Sequence, residues 1–158
     1  MREVLDSKDV EILRIIQEDC RVAAREISDR TNTPVTTVFA KIKRMERLGI
    51  VRGYRAVLDS AKLDMGTTAF VLGSFAYRGE AGKVLSQREV AKQIAEFPEV
   101  QEVHVISGDW DILMKVKERD VGSVGRFVVD KLRLVKGVEK TLTCLVFESE
   151  KETTAIPL

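Results

Sequence analysis

Between residues 35 and 55 the chain gathers groups that an anion would meet. Lys41, Lys43, Arg44, Arg47, Arg52 and Arg55 stand there against Glu46 alone. The chain as a whole has a formal net charge of +1, and residues 1–34 and 56–158 are each slightly acidic, so the positive field belongs to one short segment. On a helix turning 100° per residue, Val35, Val38, Ile42 and Met45 share one side. Thr36, Thr37, Ala40, Lys43, Arg44 and Arg47 share the other, with Phe39 and Lys41 at the flanks. Short hydroxyls early in such a helix allow close approach to base edges, and cations later in it reach phosphates.

A second constellation is Ser107-Gly108-Asp109-Trp110-Asp111. Glycine and aspartate suit a tight turn, but two carboxylates flanking an indole exceed what a turn requires. Free amides in such a loop can hold a carboxylate, and an aspartate can hold an ammonium group. Elsewhere the chemistry is sparse. His104 is the only histidine, and Cys20 and Cys144 form no CxxC pair. Neither GxGxxG nor GxxxxGK[ST] occurs. No nucleophilic triad, metal site or cofactor is therefore expected, and the reading is not enzymatic.

The elements that position these groups follow from hydrophobic periodicity. Helices are expected over 9–19 and 23–31, with Asp6 or Ser7 capping the first and Asn32 ending the second. Thr33-Pro34 reads as a cap and first-turn proline for a third helix that runs to Gly49. Three short helices with a basic third match a helix-turn-helix, and residues 50–58 read as a strand forming a wing or linker. Beyond them, strand, helix, strand occurs twice: 68–77, 88–97 and 100–107, then 111–117, 121–134 and 138–148. Each helix exit places a breaker, Pro98 or Gly137, shortly before a valine that opens a strand. This is the ferredoxin-like βαββαβ plan, so the fold class is α+β. Thr141, Thr143 and Leu145 alternate with Leu142, Cys144 and Val146. Both sheet faces thus carry sizeable groups, which points to helices on one and a partner subunit on the other.

The 158 residues are 44% hydrophobic, enough to bury a core. The apolar runs are far shorter than the ~20 residues of a membrane-spanning helix, and no secretory signal is readable near the start. A soluble protein of the cytoplasm is expected.

The whole chain resembles the Lrp/AsnC family, the leucine-responsive and asparagine-sensing transcription regulators. The matching segments are LDSKDVEILRIIQED, TTVFAKIKRMERLGIVRGYRAVLD, VISGDWDILMKV and GVEKTLTCLVFESEKETTAIPL. The resemblance implies a helix-turn-helix domain over 1–50, a strand and linker over 51–66, and a ferredoxin-like effector-binding and oligomerisation domain over 67–158. It implies double-stranded DNA as partner, homodimers assembling into octamers, and a small effector, an amino acid, bound between dimers. The DNA-contacting role carries onto Thr36, Thr37, Lys41, Lys43, Arg44 and Arg47. The effector role carries onto Ser107, Gly108, Asp109, Trp110 and Asp111, with Thr141 and Thr143 of the last strand. Trp110 departs from the tyrosine common in the family. A rival implication is a tetrapyrrole-pathway decarboxylase-like protein, since such enzymes resemble this family and reuse its two-domain plan.

Overall fold

The computed structural model describes residues 5–76 and 85–158. Contacts divide the chain into one unit of residues 1–57 with 151–158, and a second of residues 58–150. Residues 151–158, expected with the second domain, make their contacts in the first unit.

The first unit holds helices α1 (Ser7–Glu18), α2 (Ala24–Thr31) and α3 (Val35–Arg47). A reciprocal capping box starts α1: the Asp6 carboxylate accepts from Asp9 N at 2.8 Å, and the Asp9 carboxylate accepts from Asp6 N at 2.9 Å. Asn32, in the left-handed region at φ 46°, ends α2. Pro34 rather than Thr33 is the N-cap of α3. Thr33 is buried, and its hydroxyl donates to the Thr31 carbonyl at 3.1 Å, so it secures the turn between the helices instead of capping. Ile12, Leu13, Ile15, Ile27, Val38 and Met45 form the core. The backbone of Ile156 exchanges two hydrogen bonds with the Gln17 side chain, both 3.1 Å, and Arg14 Nε donates to the Leu158 carbonyl at 2.8 Å.

The strand expected over residues 50–58 is not formed. Residues 52–59 have no regular secondary structure, and Val57 is fully exposed. Apolar and β-branched composition favours extended backbone, but a strand also needs a neighbour to pair its amides and carbonyls. Among the described residues, none pairs with this segment.

The second unit is a four-stranded antiparallel sheet ordered β2-β3-β1-β4. Its strands are β1 (Thr67–Phe75), β2 (Val100–Val105), β3 (Ile112–Glu118) and β4 (Val138–Leu145). Helix α4 (Gln87–Ala95) joins β1 to β2, and α5 (Val121–Arg126) follows β3, continuing as a π-helical turn (Phe127–Lys131) and a 3-10 turn (Leu132–Leu134). The expected end of the first strand at Tyr77, and most of the connection before α4, lie outside the described residues. Ala69, Val71, Met114 and Val116 pack with Val90, Ile94, Val124, Phe127 and Leu132 in one core. Register puts Phe70, Leu72, Leu113, Leu142 and Cys144 on the opposite face. Phe70 is 37% and Leu142 46% exposed there. Gly137 lies at φ +104°, and a Cβ on it would meet Phe75 Cε2 at 2.9 Å, so only glycine fits this entry to β4.

Candidate nucleic-acid interface and effector loop

Helix α3 buries Val38 and Met45 against the first-unit core, which turns Thr36, Phe39, Ala40, Lys43 and Arg47 outward. These five fall within roughly 100° of arc at 100° per residue. Thr37, Lys41 and Arg44 occupy the neighbouring flank and are only partly exposed. The two flank cations are already engaged. Arg44 Nη2 donates to Asp9 Oδ2 at 2.5 Å, and Lys41 Nζ contacts Asp9 Oδ1 at 3.2 Å and Asp6 Oδ2 at 2.5 Å. The Asp9 side chain is completely buried. A buried carboxylate requires partners of opposite charge, and here two cations of α3 and the Asp6 amide supply them. The Lys41 ammonium holds the Asp6 carboxyl down to about 2, and Asp6 in turn raises the Lys41 ammonium above its ordinary value.

Of the six residues expected to meet DNA, Thr36, Lys43 and Arg47 are therefore exposed, Thr37 is half-buried, and Lys41 and Arg44 are bound to α1 acids. Lys43 pairs with Glu46 at 2.8 Å but keeps 76% of its side chain exposed. Glu46 also accepts from the Tyr54 hydroxyl at 3.0 Å. Burial first, and the Glu46 carboxylate second, push that phenol up to about 12. Arg52 and Arg55 are exposed in the segment after α3. The acidic partners of the clamp escaped the sequence reading, which saw Asp6 only as a cap. The Asp-x-x-Asp spacing ahead of an apolar run was the available signal.

The β2–β3 hairpin places its polar groups in two environments. Asp111 is consumed internally: Oδ2 accepts from Phe75 N at 2.8 Å, and Oδ1 accepts from Gln87 Nε2 at 3.2 Å. Its backbone bonds Ile106 N and Gly73 O, so it ties the hairpin to β1 and to the first residue of α4. Ser107, Gly108 and Asp109 are exposed, with Gly108 at φ +122°, and Trp110 is half-buried. Thr141 lies across Gly73 from Ile112, in the sheet row that adjoins the hairpin. Thr143 is two rows further on, across Val71 from Met114. It lines a separate apolar cleft of about 220 Å3 with Val121, Val124, Gly125, Val128, Val129 and Leu145, among which no hairpin residue appears. His104 is half-exposed on β2 and meets Glu102 at 3.3 Å. Among the described residues, no group of three or more His, Cys, Asp or Glu is placed to hold a metal ion.

Comparison with known proteins decides what this pairing of units is. Residues 5–52 match a winged helix-turn-helix DNA-binding model, and residues 80–156 match the Lrp/AsnC ligand-binding domain. An uncharacterized HTH-type transcriptional regulator of Pyrococcus abyssi is 41% identical over 96% of this chain and 99% of its own length. The chain belongs to the Lrp/AsnC family. The HTH-type transcriptional regulator FL11 of Pyrococcus furiosus is 34% identical over the full chain and 99% of its own length. Among solved structures, a transcriptional regulator from Neisseria meningitidis in complex with L-methionine superposes with a TM-score of 0.88 at 30% identity, covering 98% of this chain and 97% of that one. An AsnC family regulator from Agrobacterium tumefaciens gives 0.87 at 28% identity, with 97% of each chain covered. As an Lrp/AsnC transcriptional regulator, the chain has its exposed α3 stripe inside the DNA-binding match, and its hairpin and β4 inside the ligand-binding match. No described helix is long and apolar enough to cross a membrane.

Proposed function

We propose that this transcriptional regulator meets the major groove with the outward stripe of α3 and adjusts that binding in response to a free amino acid. Thr36 and Thr37 approach base edges, and Lys43 and Arg47, followed by Arg52 and Arg55, neutralise phosphates. Lys41 and Arg44 serve this surface from behind, by holding α3 on α1. The observation that carries the reading is the sorting of charge on α3: two cations are tied to buried or capping acids, and the exposed ones sit at its C-terminal end. Duplex binding measured against salt tests it. Arg47→Ala is expected to weaken all duplexes and to flatten the salt slope by about 1 for each subunit engaged, whereas an unchanged slope would remove Arg47 from the interface.

For the effector, the relative from Neisseria meningitidis bound to L-methionine supports an amino acid. The exposed amides and hydroxyl of Ser107 and Gly108 suit its carboxylate, the Asp109 carboxylate suits its ammonium, and the Trp110 ring offers an apolar wall. Asp111 supports the loop through Phe75 and Gln87 rather than facing the ligand. Thr141, in the row beside the hairpin, is the nearer of the two β4 candidates, and Thr143 belongs to the cleft against α5. The exposed apolar face of Phe70 and Leu142 supports pairing of two sheets in a homodimer, with dimers assembling further. Light scattering with and without L-methionine and the other amino acids tests both parts. A monomer at all concentrations would overturn the dimer, and indifference of mass and DNA affinity to every amino acid would overturn the effector.

A further inference from the structure

One edge of the DNA-facing stripe holds a residue that charge patterning does not explain. Phe39 is 56% exposed, although its helix has an apolar side that buries Val38 and Met45 completely. It lies with Thr36 and Ala40 in the first half of the stripe, ahead of the cations Lys43 and Arg47. Residues 35–40 read Val-Thr-Thr-Val-Phe-Ala and contain no Arg, Lys, Asn or Gln. The side chains that read guanine or adenine by paired hydrogen bonds are thus missing from the half of a recognition helix that usually meets base edges. What that half presents is an aromatic ring, the Ala40 methyl and the Thr36 methyl. The Asp9 clamp on Lys41 and Arg44 fixes the helix so that this apolar patch points outward.

On the major-groove edge of B-DNA, the one apolar feature that distinguishes a base pair is the 5-methyl group of thymine. We propose that Phe39, flanked by Thr36 and Ala40, reads thymine 5-methyl groups, so that specificity in this half of α3 comes from apolar contact and not from hydrogen-bonded purine recognition. The inference rests on the DNA-binding role proposed above and adds the chemical feature that is recognised.

Replacing thymine by uracil removes that methyl group and leaves the hydrogen-bonding edge intact. The full chain is used to enrich duplexes from a randomised pool, and an enriched duplex is then resynthesised with deoxyuridine at one thymine position at a time. Wild-type protein is expected to lose about fourfold in affinity at one or more positions, the effect of failing to bury one methyl group. Phe39→Ala is expected to bind the thymine and uracil forms of such a position equally and to keep the wild-type melting curve, because the ring is exposed. Equal wild-type affinity for both forms at every position overturns the proposal, and this arm depends on no variant folding. Retention of the fourfold loss by Phe39→Ala overturns the assignment to Phe39. Failure of the pool to yield any bound duplex is a different result: it overturns the DNA-binding role itself.

Discussion

Helix α3 and the β2–β3 hairpin each carry polar groups suited to binding, and in each the fold keeps some for itself. They differ in how the retained groups are satisfied. On α3, Lys41 and Arg44 meet the carboxylates of Asp6 and Asp9, so charge is balanced by charge across two helices. In the hairpin, Asp111 is held by a backbone amide and a glutamine side chain, neutral donors that orient the carboxylate without cancelling it. The clamp therefore removes positive charge from the outward field of α3 and leaves a short cationic end. Among the described residues no ion pair engages Asp109 or Asp111, and Asp109 is exposed. A count of basic residues in the first region overstates the charge that α3 leaves unpaired.

The largest expected effect breaks the first half of this contrast. Asp9→Ala leaves two cations facing a buried site without their carboxylate and removes the acceptor of the Asp6 amide. A loss of about 3–5 kcal/mol is expected in urea melts that follow helical signal, as when one partner of a buried ion pair is removed. A loss below 1 kcal/mol would mean that α3 is held by its apolar side alone. The neutral version is smaller. Asp111→Ala deletes acceptors for Phe75 N and Gln87, and a cost of about 1–3 kcal/mol is expected in the same assay. A cost equal to that of Asp9→Ala would erase the distinction between charged and neutral satisfaction.

Next in size is acid sensitivity. Asp6 titrates near 2 in the folded chain against an ordinary 3.8, so its contribution is present above about 3.8 and is lost as pH falls through about 2. Asp6→Asn should flatten that acid limb in a helical-signal titration. An unchanged limb would detach Asp6 from the clamp. The smallest effect on stability belongs to Asp109→Ala, within about 0.5 kcal/mol as for exposed substitutions generally, with loss of any amino-acid response and retained DNA binding. A large drop in melting temperature would instead give Asp109 the supporting role assigned to Asp111.

The sequence carried the order of elements well where signals were local. The α1 cap expected at Asp6 or Ser7, the stop of α2 at Asn32, and the glycine before β4 depend on neighbouring residues, and the structure has the cap at Asp6 and the other two as expected. Signals needing a distant partner were illegible. Residues 50–58 have the composition of a strand but no neighbour within the described chain, so composition alone misread them. The engagement of Lys41 and Arg44 was hidden because Asp6 and Asp9 precede them by more than thirty residues, and helical projection shows faces but not what packs against their edges. The internal bonds of Asp111 were illegible for the same reason, its partner Phe75 lying at the end of β1. Helical angle alone puts Phe39 at a flank. Its exposure emerges only once the core has chosen Val38 and Met45.

The salt dependence of duplex binding tests the division of labour on α3 most directly, with wild type, Arg47→Ala and Lys41→Met compared on one duplex. The account predicts that Arg47→Ala lowers the slope by about 1 for each subunit engaged, while Lys41→Met leaves it unchanged despite a lower melting temperature. A shallower slope for Lys41→Met, with Arg47→Ala matching wild type, would mean that the clamped cation reaches phosphate and the exposed one does not, the reverse of the arrangement described.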